Sequence, residues 1–157
     1  MSYQFNQQWL AKKFLEIQRR ILKAIDQLSD EQVNWKPNEV SHSIANLIQH
    51  IEGNIQERIF KGILHQDIVR DREAEFSKGS LSKKELTLIV ENRFNFVIEL
   101  IGRLSQQELE QTQIVRNKER TNLDMLHQCA AHYSEHMGQI FYIAKLCLDH
   151  SYQSTSI

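Results

Sequence analysis

A chain of 157 residues suits one domain with a single hydrophobic core, and its 41% hydrophobic and 25% charged residues are those of an ordinary globular protein. Nineteen basic against twenty acidic side chains leave a net charge of −1 with no basic stripe, which excludes the usual electrostatic footprint of a nucleic-acid binder. No stretch approaches the roughly 20 apolar residues of a membrane span, and the N-terminus lacks the apolar core of a signal peptide, so the expected location is the cytoplasm.

Five glycines and one proline are few breaks for this length, and they favour a small number of long helices. The first runs from about Gln4 to Leu28, with Phe14, Ile17, Ile21, Ile25 and Leu28 recurring at spacings of three and four. Ser29 followed by Gln32 has capping-box spacing and opens a new turn, after which Trp35-Lys36-Pro37-Asn38 reads as a loop with Trp35 closing one end of the core. The second helix starts at Ser41 or Ser43 and carries Ile44, Leu47, Ile48, Ile51, Ile55 and Ile63. His50 lies in or beside that apolar stripe, and Gly53 marks a close approach of another element.

Residues 65–80 break the period with charges of both signs. They read as a long, solvated, partly helical crossover, with a lid or partner-binding segment as the other reading. The third helix opens on the capping box Ser82-Lys83-Lys84-Glu85 and runs to Leu104. Phe96, Ile98 and Leu100 widen its apolar surface, which predicts burial by the crossover or by a second subunit in a homodimer. Leu104-Ser105-Gln106-Gln107-Glu108 then echoes Leu28-Ser29-Asp30-Glu31-Gln32, a short polar turn follows, and a histidine-bearing helix comes next in both halves. That helix spans about Thr121 to Leu148, with Asp124 placed to pair with a Thr121 cap. Residues 1–149 therefore predict one all-α domain, a four-helix bundle with a long crossover between the second and third long helices, and residues 150–157 a tail with little reason to be ordered.

The chemistry concentrates on the last helix. His132 and His136, four residues apart, leave the same helical face and can converge on one ion. If the two echoing halves are packed as equivalents, His50 faces the pair and completes a three-histidine set. Three imidazoles suit one divalent ion such as zinc or nickel and leave a position open for water or substrate. His127 points elsewhere on the helix, and His42, His65 and His150 read as surface or capping residues. Cys129 and Cys147 sit about 27 Å apart on one helix, too far to bridge, and read as small buried apolar residues. His132-Tyr133-Ser134-Glu135-His136 also fits the inverted zinc-protease pattern, with Glu135 as general base. That reading fails because the one carboxylate after His136, Asp149, lies about 20 Å away on the same helix. Glu135 is then solvent-facing or orients a neighbouring imidazole.

Trp35-Lys36-Pro37, the run Ser43-Ile44-Ala45-Asn46-Leu47-Ile48-Gln49-His50 and the run His132-Tyr133-Ser134-Glu135-His136-Met137-Gly138-Gln139 together resemble the DinB/YfiT-like superfamily of four-helix-bundle metalloenzymes. The resemblance covers about Leu28 to Leu148 and implies that His50, His132 and His136 bind one divalent metal. Arg72-Glu73-Ala74-Glu75-Phe76 further resembles a sub-branch common in bacilli with no established activity, and Met137 stands where a basic residue or histidine often follows the second ligand of the pair. Some members of the superfamily are thiol-dependent transferases or isomerases, so the resemblance implies an enzyme that activates a low-molecular-weight thiol against a small electrophile. The reading from a different class is a non-catalytic, dimeric bundle that binds a metal or a partner.

Overall fold

Each long helix whose start is described begins where a side chain supplies the cap. In the computed structural model, which describes residues 3–77 and 79–156, the elements are α1 (Tyr3–Asp26), α2 (Asp30–Asn34), α3 (Ile44–Ile55), α4 (Arg72–Ser77), α5 (Lys83–Arg103), α6 (Gln106–Glu110), strands β1 (Thr112–Val115) and β2 (Lys118–Thr121), and α7 (Asn122–Leu148). Ser43 and Ser82 form full capping boxes with Asn46 and Glu85, and the Thr121 hydroxyl accepts from the Asp124 N–H. Ser29 and Ser105 each form a full capping box too, at the heads of the five-residue helices α2 and α6. The echo between the two halves is thus a repeated structural unit.

α1 and α3 each pack against both α5 and α7, so they occupy opposite corners of the bundle. Phe14, Phe94 and Tyr133, one from each of α1, α5 and α7, meet at the centre with ring centroids 5.9 to 6.2 Å apart and tilted or edge-to-face planes. All three are essentially buried, and each such side chain stabilises the fold by about 1.5–3 kcal/mol. Trp35, expected to close one end of the core, is 40% exposed, whereas Val33 and Leu28 are buried. The apolar surplus of α5 is met largely within the chain, since Phe96 stacks on Phe60 at 4.7 Å and Leu100 is buried.

Three features depart from the helical periodicity. After Ile55 the chain widens into a π-helical turn, Gln56–Lys61, where the Gly62 N–H reaches the Glu57 carbonyl and the Leu64 N–H that of Ile59. The polar turn expected after α6 is an antiparallel hairpin with Thr112 opposite Thr121 and Val115 opposite Lys118. Its two central residues, Arg116 and Asn117, have φ of 49° and 62°, the pair of positive values a type I′ turn demands. Residues 152–156, expected to have little reason to be ordered, instead run back over α1. The Gln27 side chain donates to the Gln153 carbonyl at 3.0 Å and accepts from its N–H at 2.8 Å, and Thr155 is buried.

Candidate metal centre

α3 and α7 are neighbours in the bundle, and their facing surfaces bring His50, His132 and His136 together. Ser43 fixes the start of α3 so that His50, two turns in, points inward and is 7% exposed. Along α7 the three-residue gap sends His132 and His136 to the same side, while Tyr133 turns the other way into the core and donates to Asn54 Oδ1 at 2.8 Å. The Nε2 atoms of His50 and His132 are 3.2 Å apart, and those of His132 and His136 are 3.0 Å apart.

The outer nitrogens decide whether these contacts suit a cation. His50 Nδ1 lies 2.9 Å from Glu75 Oε2, and a carboxylate can only accept, so Nδ1 carries the proton and Nε2 presents its lone pair. Arg70 Nη2 also approaches His50 Nδ1 at 3.3 Å, but it donates to Glu75 Oε2 at 3.0 Å, which leaves the tautomer unchanged. His136 Nδ1 sits 2.7 Å from Gln139 Oε1, which turns a second lone pair inward. Two nitrogens bound to one tetrahedral zinc are about 3.3 Å apart. Two inward lone pairs and a third imidazole nitrogen at nearly that spacing, with the outer N–H groups of His50 and His136 engaged by a carboxylate and an amide, fit a divalent ion.

The crossover, read from sequence as chiefly solvated, supplies this supporting shell. Arg70 Nε donates to Glu75 Oε1 at 2.5 Å, and Arg70 Nη1 to Glu57 Oε2 at 2.6 Å. The ring of Phe76 lies between those of His42 and His50, with centroids at 4.3 and 5.4 Å. Gly53 belongs to the same arrangement. Its close neighbour is the Glu75 carboxylate, and a methyl group there would lie 2.7 Å from the carboxyl carbon and 3.1 Å from Arg70 Nε. Glu75 cannot yield without releasing both His50 and Arg70. Gly53→Ala is therefore expected to cost about 1–3 kcal/mol by overpacking, more than the up to about 1 kcal/mol alanine gains in helix propensity. Denaturant titration should show the loss, together with weaker metal binding; a variant more stable than the parent would contradict the packing.

Burial, reinforced by the neighbouring His136, His50, Arg70 and Arg116, pushes His132 down from 6.5 to about 4. Burial also lowers His50, against the opposing pull of Glu75. An imidazole neutral at pH 7 is ready to ligate. The unfolded chain takes a proton on His132 near pH 6.5, and the folded chain does so only near pH 4. The metal-free protein is thus expected to lose stability as pH falls from 6.5 towards 4. Melting temperatures across that range should fall, less steeply in His132→Asn; equal slopes would contradict the shift.

The remaining candidates lie elsewhere. His127 hydrogen-bonds Asn6 and stacks on Trp9, while His42, His65 and His150 are exposed. Glu135 is exposed and makes no hydrogen bond or ion pair among the described residues, so orienting the imidazoles falls to Glu75 and Gln139. Both cysteines are free. Burial pushes the Cys129 thiol up to about 11, which removes it as a nucleophile, and Met137 packs in the core. The sequence reading missed Arg70, Glu75 and Gln139. The one signal for Glu75 was Gly53, whose partner had to come from outside the second helix.

The bundle has the DinB-like fold, and its three histidines converge between α3 and α7. Solved structures that share the fold include two DinB-like proteins. One is YjoA from Bacillus subtilis, with a TM-score of 0.67 and 15% identity over 95% of this chain and 96% of that one. The other, from Bacillus cereus ATCC 10987, has a TM-score of 0.71 and 15% identity over 88% of this chain and 90% of that one. Over residues 4–157 the chain belongs to the family described as "Protein of unknown function (DUF1572)". No curated protein matches its sequence.

Proposed function

We propose that His50, His132 and His136 hold one divalent ion, zinc or nickel, and that the protein is a metal-dependent S-transferase joining a small thiol to an electrophile. The observation that carries this reading is the convergence of the Nε2 atoms at 3.0 and 3.2 Å with the outer nitrogens of His50 and His136 already engaged. A bound divalent ion supplies an open coordination position and lowers the pKa of a thiol there, so that the thiolate is present at neutral pH. The chain's own residues do the rest. Glu75 and Gln139 fix the tautomers, Arg70 holds Glu75, and Phe76 shields one side of His50 from water.

Two openings lie near the histidines, one lined by His132 and the other by Gln139, the partner of His136. The first, a cavity of about 330 Å³, reaches His132 between α7 and the hairpin. The second, a groove of about 710 Å³, passes Gln139 and is walled by Val40, Leu47, Tyr142 and Leu146, a lining suited to an apolar electrophile. Glu135 lines both. The cobalt-substituted protein tests the reading. Adding a small thiol should produce a sulfur-to-cobalt charge-transfer band and shift the visible transitions. A spectrum that no thiol perturbs would overturn the transferase reading and leave a non-catalytic metal-binding bundle.

A further inference from the structure

We propose that the cavity beside His132 is an anion-binding subsite, and that the thiol used by this protein carries one or more acidic groups held there by Arg58, Arg116 and Lys118. The inference rests on the reading of the three histidines as a thiol-activating metal site, and it adds the charge of the thiol.

The cavity is lined by four cationic side chains, Arg58, Arg116, Lys118 and Arg120, against one carboxylate, Glu135, in a chain whose net charge is −1. The hairpin produces this imbalance through its pleat. Cross-strand pairing sets Gln113 opposite Arg120 and Val115 opposite Lys118, so these four share one face. Glu119 and Ile114 take the other face, where Glu119 accepts from Thr112 and Ile114 is 69% exposed. The strand therefore sorts its cations towards the cavity and its acid away from it. The type I′ turn adds Arg116 to the same lining as His132.

Two of the four cations have carboxylates of their own. Arg120 pairs with Asp124 at 2.6 Å. Arg58 lies 3.8 Å from Glu57, which is itself held by Arg70 at 2.6 Å. Arg116 and Lys118 have no carboxylate within ion-pair distance among the described residues. The wall that carries them is fixed in place. Gln113 donates to the Arg58 carbonyl at 3.2 Å and to Asn122 Oδ1 at 3.0 Å, and its side chain fills the space where Gly62 lacks a Cβ. A carboxylate or phosphate entering the cavity meets the cationic side chains carried by this anchored hairpin, while His132 on the same lining leaves the other end of the molecule beside the histidines.

The test compares thiols that differ in charge, by calorimetry on the zinc-loaded chain. Mercaptosuccinate, a dicarboxylate thiol, should bind about tenfold or more tightly than the neutral 2-mercaptoethanol, and added salt should erode the difference. In Arg116→Asn/Lys118→Gln the advantage should vanish while metal stoichiometry and 2-mercaptoethanol affinity stay unchanged. Asparagine tolerates the positive φ of the turn and glutamine keeps the lysine's reach, so the hairpin is conserved. Equal affinity of the parent protein for the two thiols, or an undiminished advantage in the variant, would overturn the proposal. Titration of succinate and of inorganic phosphate into the metal-free protein separates this subsite from the metal reading. Binding of either anion to the parent and not to the variant supports the subsite even if no thiol perturbs the cobalt spectrum, and its preferred anion tells carboxylate from phosphate. Binding of neither overturns the subsite even if neutral thiols do perturb it.

Discussion

His50→Ala is expected to abolish stoichiometric metal binding, with metal content falling from about one divalent ion per chain to background. Structural zinc sites bind with about 10–16 kcal/mol spread over four ligands, or about 2.5–4 kcal/mol for each. Loss of one ligand should therefore weaken binding on the order of 10²- to 10³-fold. His50 is the most informative of the three, because it alone comes from α3 and its removal leaves the α7 pair intact. The fold should survive: Glu75 keeps its bonds to Arg70, and the ring contacts among Phe14, Phe94 and Tyr133 do not include His50. Elemental analysis gives the stoichiometry. Thermal melts give an independent reading, since added zinc should raise the melting temperature of the parent protein and leave that of the variant unchanged. His42→Ala, which alters an exposed ring on the far side of Phe76, serves as the control that keeps its metal. Full retention of metal by His50→Ala would refute the three-histidine site.

The second large effect is expected at Glu75. Removing one partner of a buried ion pair costs about 3–5 kcal/mol, because the charge left behind has lost both water and its counterion. Arg70 fits that case, with only 6% of its side chain exposed. Glu57 remains as its second partner, so the lower end of the range applies. Glu75→Ala should also release the His50 ring, and loss of such an outer partner typically weakens metal binding 10- to 100-fold. Glu75→Gln separates the two effects. Its amide oxygen can still accept from His50 Nδ1 while the charge facing Arg70 is lost, so stability should fall more than metal affinity. Denaturant midpoints and competitive metal titrations on both variants check this. Unchanged metal affinity in Glu75→Ala would show that the carboxylate serves Arg70 alone.

Both predictions depend on contacts of unequal legibility. The capping boxes at Ser29 and Ser82 could be read directly, because a cap and its partner lie three residues apart and obey local geometry. The His132 and His136 pair was legible for the same reason. His50 was placed with them through the echo between the halves and through the family resemblance, and the repeated capped turns at α2 and α6 support the echo. The hairpin was missed because its I′ turn uses Arg116 and Asn117 with no glycine, the residue that ordinarily announces such a turn. The tail was misjudged because its anchors, Gln27 and Arg20, lie at the other end of the chain.

By itself, then, the sequence determined the long helices, their caps and the side of α7 on which two histidines emerge, all set by interactions within a turn or two of one helix. The tertiary structure alone decided that the crossover turns Arg70 and Glu75 back onto His50, and that the hairpin's cations face His132. The contacts to His50 span 20 and 25 residues of irregular crossover, and those of the hairpin depend on how it folds back against α7, where no periodicity records which side chain will meet which.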